Sequence, residues 1–351
     1  GGQPDGSSVP AERACDDGGD DDGDGLSDCE DPDCTMADTC AYACGAFTDP
    51  PDWEVAEGLR AVIVADASDG LMQPVGVTFA GAKFGGRLFV TDQQARAVFS
   101  VDTATGDTGV FVPTDAFPSP ARLLTAIVWD AGGLFDGRLY VSDSVTDGDQ
   151  DNVIYRIAPD GSAEVFVAAP GPGLDSVYAM AFSPRSATPL GLYVAGDTDG
   201  AGPDWGVYDA AGNGTAFSDV AGIEGIAFDA RYGPGPIAAR PLGGGYAGDG
   251  TITPLDVDGT ALAPIAADLG GVHANVVAPP GLFGGEMLAA SWSDGRLFRV
   301  APDGTQTDIA TGLQLTNYDA NILAVSPDGR VLLVADRLAS RVVCIEQVEE
   351  R

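Results

Sequence analysis

The densest chemistry in this chain lies near its start. Asp20, Asp22, Asp24, Gly25, Leu26, Asp28 and Asp31 fall at positions 1, 3, 5, 6, 7, 9 and 12 of a twelve-residue stretch. That is the spacing of a calcium-binding loop, with side-chain oxygens at 1, 3, 5, 9 and 12, a backbone carbonyl at 7 (here Leu26) and a glycine at 6 for the sharp turn. Calcium takes roughly six to eight hard oxygens, and crowded carboxylates repel one another until a divalent cation neutralises them. Asp31 stands where such loops carry a bidentate Glu, which loosens the expected site. Asp16, Asp17 and Asp33 are left over and supply enough oxygen for a second ion.

The surroundings of the loop agree with an ion-ordered module. Residues 1–50 hold 14 carboxylates against the single Arg13 and show no periodic apolar pattern, so they cannot fold by burying a core. Cys15, Cys29, Cys34, Cys40 and Cys44 lie in this region, and the sixth cysteine is Cys344. An even, clustered set reads as disulfides in an oxidising compartment. A zinc knuckle is the rival reading, but the intervening carboxylates and glycines suit calcium better than a thiolate site. An unordered acidic tail is the plainer alternative. With its cysteines and without helix-forming flanks, Cys15 to Cys34 resembles a thrombospondin type 3 repeat, or the Asp-rich, Cys-containing modules of secreted bacterial proteins. Residues 1–12 read as a flexible tether left after processing, behind a removed signal or a lipidated cysteine, and 13–50 as the calcium module.

Charge narrows the partners. The formal net charge of −36 repels a phosphate backbone, which excludes nucleic acid, and makes calcium and other cations the natural partners. No run reaches the roughly 18 apolar residues of a membrane helix, so no transmembrane segment is expected. Lys83 is the only lysine among 17 basic residues, a bias that reads as a GC-rich bacterial genome. The expected location is secreted, periplasmic or tethered to the outer surface.

The rest of the chain repeats one phrase: a small residue, an apolar run, a turn, a second apolar run and usually an Asp. It opens at Gly76, Ala126, Ala179, Gly225, Ala274 and Ile322, with spacings of 50, 53, 46, 49 and 48 residues. That is the length of a four-stranded propeller blade. Blade 1 parses as strands at about 75–80, 87–92, 97–101 and 108–112, and residues 51–351 are expected to form an all-β, six-bladed propeller. Only three strands follow Ile322. The missing outer strand is expected from Leu59 to Ala65, closing the ring by pairing the two ends of the domain. A disulfide from Cys344 to Cys40 or Cys44 would pin the calcium module to blade 6.

In this pattern, residues 59–346 resemble the six-bladed propellers of the gluconolactonase, paraoxonase and strictosidine synthase-like group, and NHL-type propellers. The resemblance implies metal ligands just before each innermost strand, facing the axis. The equivalent positions are Val75, Thr125, Tyr178, Glu224, His273 and Asn321, with Asp319 two residues ahead of the last. Glu224 and Asn321 match the group's ligand types. His273, the only histidine, departs from them, because imidazole suits zinc, copper or iron better than calcium. A second metal of unknown identity on Glu224, His273 and Asn321 is one expectation. A hydrogen-bonded network of Glu224, His273 and Tyr178 around water is the other.

Three functions follow. The first is a binding or surface module that recognises a small molecule, glycan or protein at one propeller mouth. The alternative is a metal-dependent hydrolase of lactones or esters, with Asp319 or Tyr178 moving the proton. The third is a structural subunit of an extracellular assembly.

Overall fold

Apolar runs of five or six residues bounded by Gly and Pro are too short for core helices and suit strands buried on both faces. The computed structural model describes residues 42–45, 47–119, 123–144, 152–168, 171–174, 177–196, 204–240, 250–278, 283, 285–316 and 321–348. The calcium-loop residues Asp20 to Asp31, Cys15 to Cys40, the acidic loops at 145–151 and 197–203, and Asp319 lie outside the described residues.

The described chain forms six antiparallel sheets whose innermost strands neighbour one another in a ring, the expected six-bladed propeller. Blade 1 is Pro74–Phe79, Leu88–Asp92, Ala97–Val101 and Thr108–Val112. Blade 2 is Leu124–Trp129, Leu139–Asp143, Val153–Ile157 and Ala163–Ala168. Blade 3 is Val177–Phe182, Leu192–Gly196, Trp205–Tyr208 and Gly214–Ser218. Blade 5 is Val272–Val277, Met287–Ser291, Arg296–Val300 and Gln306–Thr311. Blade 6 is Leu323–Val325, Val331–Asp336 and Arg341–Gln347, completed by Leu59–Ala65, with Val62 opposite Cys344. The ring closes through the two ends of the domain, as the pattern predicts.

Two blades depart from the repeat. Blade 4 has three described strands, Gly225–Phe228, Pro236–Arg240 and Thr251–Pro254. Beyond them only the single bridges Leu255–Ala261 and Ile252–Ala266 form. Pro254 and Pro264 lack the N–H that a fourth strand would need to donate. Blade 5 gains a fifth, two-residue strand, Glu54–Val55, on its outer edge.

The recurring Asp at the end of the second strand has a structural job. Asp92 Oδ2 accepts from the backbone N–H groups of Met72 and Gln73, Asp143 Oδ1 from Leu123, and Asp336 Oδ1 from Gln314. Each carboxylate thereby satisfies the segment that precedes an innermost strand, where an unpaired N–H would be costly. Threonines stitch neighbouring blades: Thr91 Oγ1 donates to Thr125 O (2.6 Å) and Thr125 Oγ1 to Val177 O (2.8 Å).

The described end of the N-terminal module is fastened to blades 6 and 1. A disulfide joins Cys44 to Cys344, resolving the expected pairing in favour of Cys44. Tyr42 packs edge-on against Phe79 and its N–H donates to Asp328, while the Cys44 N–H donates to Glu346, which also pairs with Arg60.

Candidate active site at the axis

The positions expected at the axis share a backbone feature. In blades 1, 2, 3 and 5 the pairing of the first two strands slips at the start of the innermost one, between Pro74 and Gly76, Leu124 and Ile127, Val177 and Ala179, and Val272 and Ala274. Val75, Tyr178 and His273 are the extra residues of such β-bulges, and Thr125 lies within the slip of blade 2. A bulge re-aims its side chain and often does so beside functional sites. In blade 4, Glu224 precedes the strand and its N–H donates to Ala239 O.

Of the expected axial residues, the fold brings Glu224 and His273 together: Glu224 Oε2 meets His273 Nδ1. Both are buried, His273 at 0% and Glu224 at 4% exposure. Burial pushes the His273 pKa down to about 3, so the imidazole is neutral near neutral pH. With a carboxylate at Nδ1, the single ring proton belongs on Nδ1, and Nε2 carries the lone pair. Nε2 is buried and has no hydrogen-bond partner among the described residues.

Asn321 takes a different part. It adopts φ 49°, which Asn tolerates better than most residues. Its side-chain NH₂ donates to Met180 O (3.0 Å) and its Oδ1 accepts from Met180 N (3.4 Å), while its backbone oxygen accepts from Val77. The amide thus ties blade 6 to blade 3, and its carbonyl ties blade 6 to blade 1. Tyr178 is partly buried against the core shared by blades 2 and 3. Val75 and Thr125 are buried.

Trp292 belongs to the site and is absent from the axial alignment. Its ring stands edge-on to His273 at 6.0 Å, and its Nε1 is also buried without a partner among the described residues. The indole lies over Gly271, where an added Cβ would fall 1.8 Å from Nε1. The Gly270-Gly271 pair just before the only histidine is the signal that points to it.

Gly225 sets how closely the dyad's two blades approach. A Cβ there would lie 2.5 Å from Asn275 Oδ1 and 2.8 Å from the Asn275 backbone nitrogen. Gly225→Ala is therefore expected to cost about 1–3 kcal/mol by overpacking and to displace Glu224 from His273, read as a lower melting temperature.

The depressed His273 pKa has a signed consequence. Unfolded, the imidazole binds a proton below its ordinary value near 6.5; folded, it resists protonation down to about 3. Its contribution to stability is present above pH 6.5 and is lost as pH falls toward 3. Denaturant unfolding measured across that window should show the decline, and His273→Gln should flatten it.

No protein-family model matches the chain, and no curated protein matches it in sequence. Solved structures match its fold. The gluconolactonase from Xanthomonas campestris is 16% identical with a TM-score of 0.60, over 88% of this chain and 98% of that one. The PQQ-bound aldose sugar dehydrogenase from Streptomyces coelicolor is 17% identical with a TM-score of 0.57, over 85% and 99%. The PQQ domain of pyranose dehydrogenase from Coprinopsis cinerea is 14% identical with a TM-score of 0.60, over 88% and 100%. At these identities the likeness establishes the six-bladed fold.

Proposed function

We propose that the protein hydrolyses a small ester or lactone, with His273 as general base and Glu224 fixing its tautomer and orientation. The observation that carries this is the close contact of the only histidine with a buried carboxylate through Nδ1, with no group among the described residues at Nε2. Nε2 and Trp292 Nε1, an acceptor and a donor, are groups that a bound water satisfies. In the reaction, water oxygen attacks the carbonyl carbon as its proton passes to Nε2. The acyl C–O bond then breaks, and the leaving oxygen takes that proton back. Enzymes named for a lactonase and for sugar dehydrogenases share this fold, which favours catalysis over a recognition module.

Glu224 and His273 offer two donors, the Asn321 amide is engaged by Met180, and no three His, Cys, Asp or Glu side chains converge among the described residues. No step is routed through a metal.

The test is a panel of lactones and aryl esters offered to the purified full chain. Hydrolysis dependent on His273 supports the reading. Oxidation of an aldose with added PQQ, with no hydrolysis of any panel member, would overturn it.

Calcium on Asp20, Asp22, Asp24, Leu26, Asp28 and Asp31, and a location outside the cytoplasm, belong to the same proposal; the Cys44–Cys344 bond fits an oxidising compartment. A chelator is expected to open the 20–31 stretch to protease while the propeller fragment persists. Equal protection with and without chelator would contradict a calcium loop.

A further inference from the structure

The channel also contains a cavity of about 510 Å³ that neither Glu224 nor His273 lines. Its walls come from the innermost strands of all six blades and from the turns after them, including Gly132 and Arg185. Asn321 lines it as well, with its amide tied to blade 3. The last residues of the innermost strands form a ring of Phe79, Trp129, Phe182, Phe228, Val277 and Val325. All but Phe79 keep part of their surface exposed. An apolar concavity of this size, within the usual range of roughly 300–1,000 Å³, is the ordinary form of a small-molecule site.

The polar groups of the lining narrow the ligand. Trp129 Nε1 already donates to Gly137 O, Thr78 Oγ1 to Phe79 O, and Ser183 Oγ accepts from Gly191. A sugar would bury hydroxyls against walls with few free partners. Arg185 is the only charged residue of the lining among the described residues. It is exposed, its Nη2 donates to the backbone oxygen of Gly132 (2.7 Å), and it has no carboxylate partner among the described residues. A guanidinium beside an apolar cavity with no carboxylate partner among the described residues is notable in a chain with 53 acidic and 17 basic residues. We propose that this cavity is a second ligand site for an anionic amphiphile, a monocarboxylate with an aromatic or medium-length aliphatic body. The body occupies the apolar ring and the carboxylate meets Arg185, whose planar fork matches it.

Glu224 and His273 neighbour the site through Gly225 and Ala274 but do not line it, which allows separate tests. Decanoate below its micelle concentration, and uncharged decanol, are titrated calorimetrically into the full-length protein. Saturable decanoate binding is expected. Arg185→Glu should weaken decanoate on the order of fivefold or more, as loss and reversal of an exposed pair implies, and leave decanol unchanged. Ala181→Trp, which fills the cavity from its wall, should weaken both ligands more than tenfold. Glu224→Gln should alter neither, so failure of the hydrolase reading and failure of this one are separable. Thermal melts confirm that each variant folds. No saturable decanoate binding, or equal affinity in Arg185→Glu, would overturn the proposal.

Discussion

His273→Asn should lower ester or lactone turnover by about 10²-fold, the low end of the worth of a positioned general base because burial weakens this one, with KM little changed. Asn can satisfy Glu224 with its NH₂ but offers no basic nitrogen. Glu224→Gln should lower kcat as well, because an amide no longer enforces the Nδ1–H tautomer that leaves Nε2 free. The two act as a unit, so the double variant should lose little more than the worse single one. The pH profile separates chemistry from packing: a base held neutral by burial keeps activity well below pH 6, and the residual rate of Glu224→Gln should show a different profile. Turnover within twofold of wild type in His273→Asn, measured on folded protein, would end the catalytic reading.

Asp336→Ala should cost about 3–5 kcal/mol, the scale of breaking a buried ion pair by removing one partner. Asp336 is fully buried. It accepts from Trp53 Nε1 (3.1 Å), Gln314 N (2.6 Å) and Arg341 Nε (2.8 Å), and Arg341 Nη2 lies 2.6 Å away. One carboxylate therefore holds the N-terminal arm, the segment leaving blade 5 and the turn of blade 6. Burial raises the Asp336 pKa despite the Arg341 guanidinium, so desolvation is the cost that these bonds offset. At Asp52, burial also pulls upward, but hydrogen bonds from Arg341 and Gln314 more than reverse it and hold the carboxyl below the ordinary range. Asp336→Ala leaves Arg341 buried with Asp52 as its one carboxylate partner among the described residues. Asp336→Asn, which keeps the shape, should cost less. Urea unfolding followed by tryptophan fluorescence measures both, and a loss under 1 kcal/mol in Asp336→Ala would contradict the hub.

Much of the fold was legible because a propeller repeats one local problem. Each blade needs central buried strands joined by tight turns, blades 1, 2 and 6 add a carboxylate that finishes the entry to an inner strand, and the demand for buried strands recurs near every fifty residues. Closure by Leu59–Ala65 was legible for the same reason, since blade 6 lacked a strand that only the other end of the domain could supply. The axial positions could be aligned because the innermost strands start alike. What Asn321 does there could not be read, since its partners Met180 and Val77 are set by ring geometry and not by local spacing. Trp292 was hidden for a related reason: it comes from a turn between strands and reaches His273 only through the glycines at 270 and 271. The cavity was equally illegible, because six ordinary core residues become a ligand-sized ring only when the blades curve around one axis.

The seam between Leu59–Ala65 and Arg341–Gln347 also sets an order of events during synthesis. The strand that completes the last blade is made about 280 residues ahead of its partner. At about 5–20 residues per second, the interval is on the order of 15–60 s. Throughout it, an apolar strand has an open edge and no native neighbour, while the earlier blades can assemble from contacts close in sequence. Ring closure is thus the high-contact-order step, and the one most exposed to mispairing between chains. A circular permutant that opens at an exposed turn between two blades and links Val348 to Gly58 by a short turn would make that seam a local hairpin and place the burden on another blade.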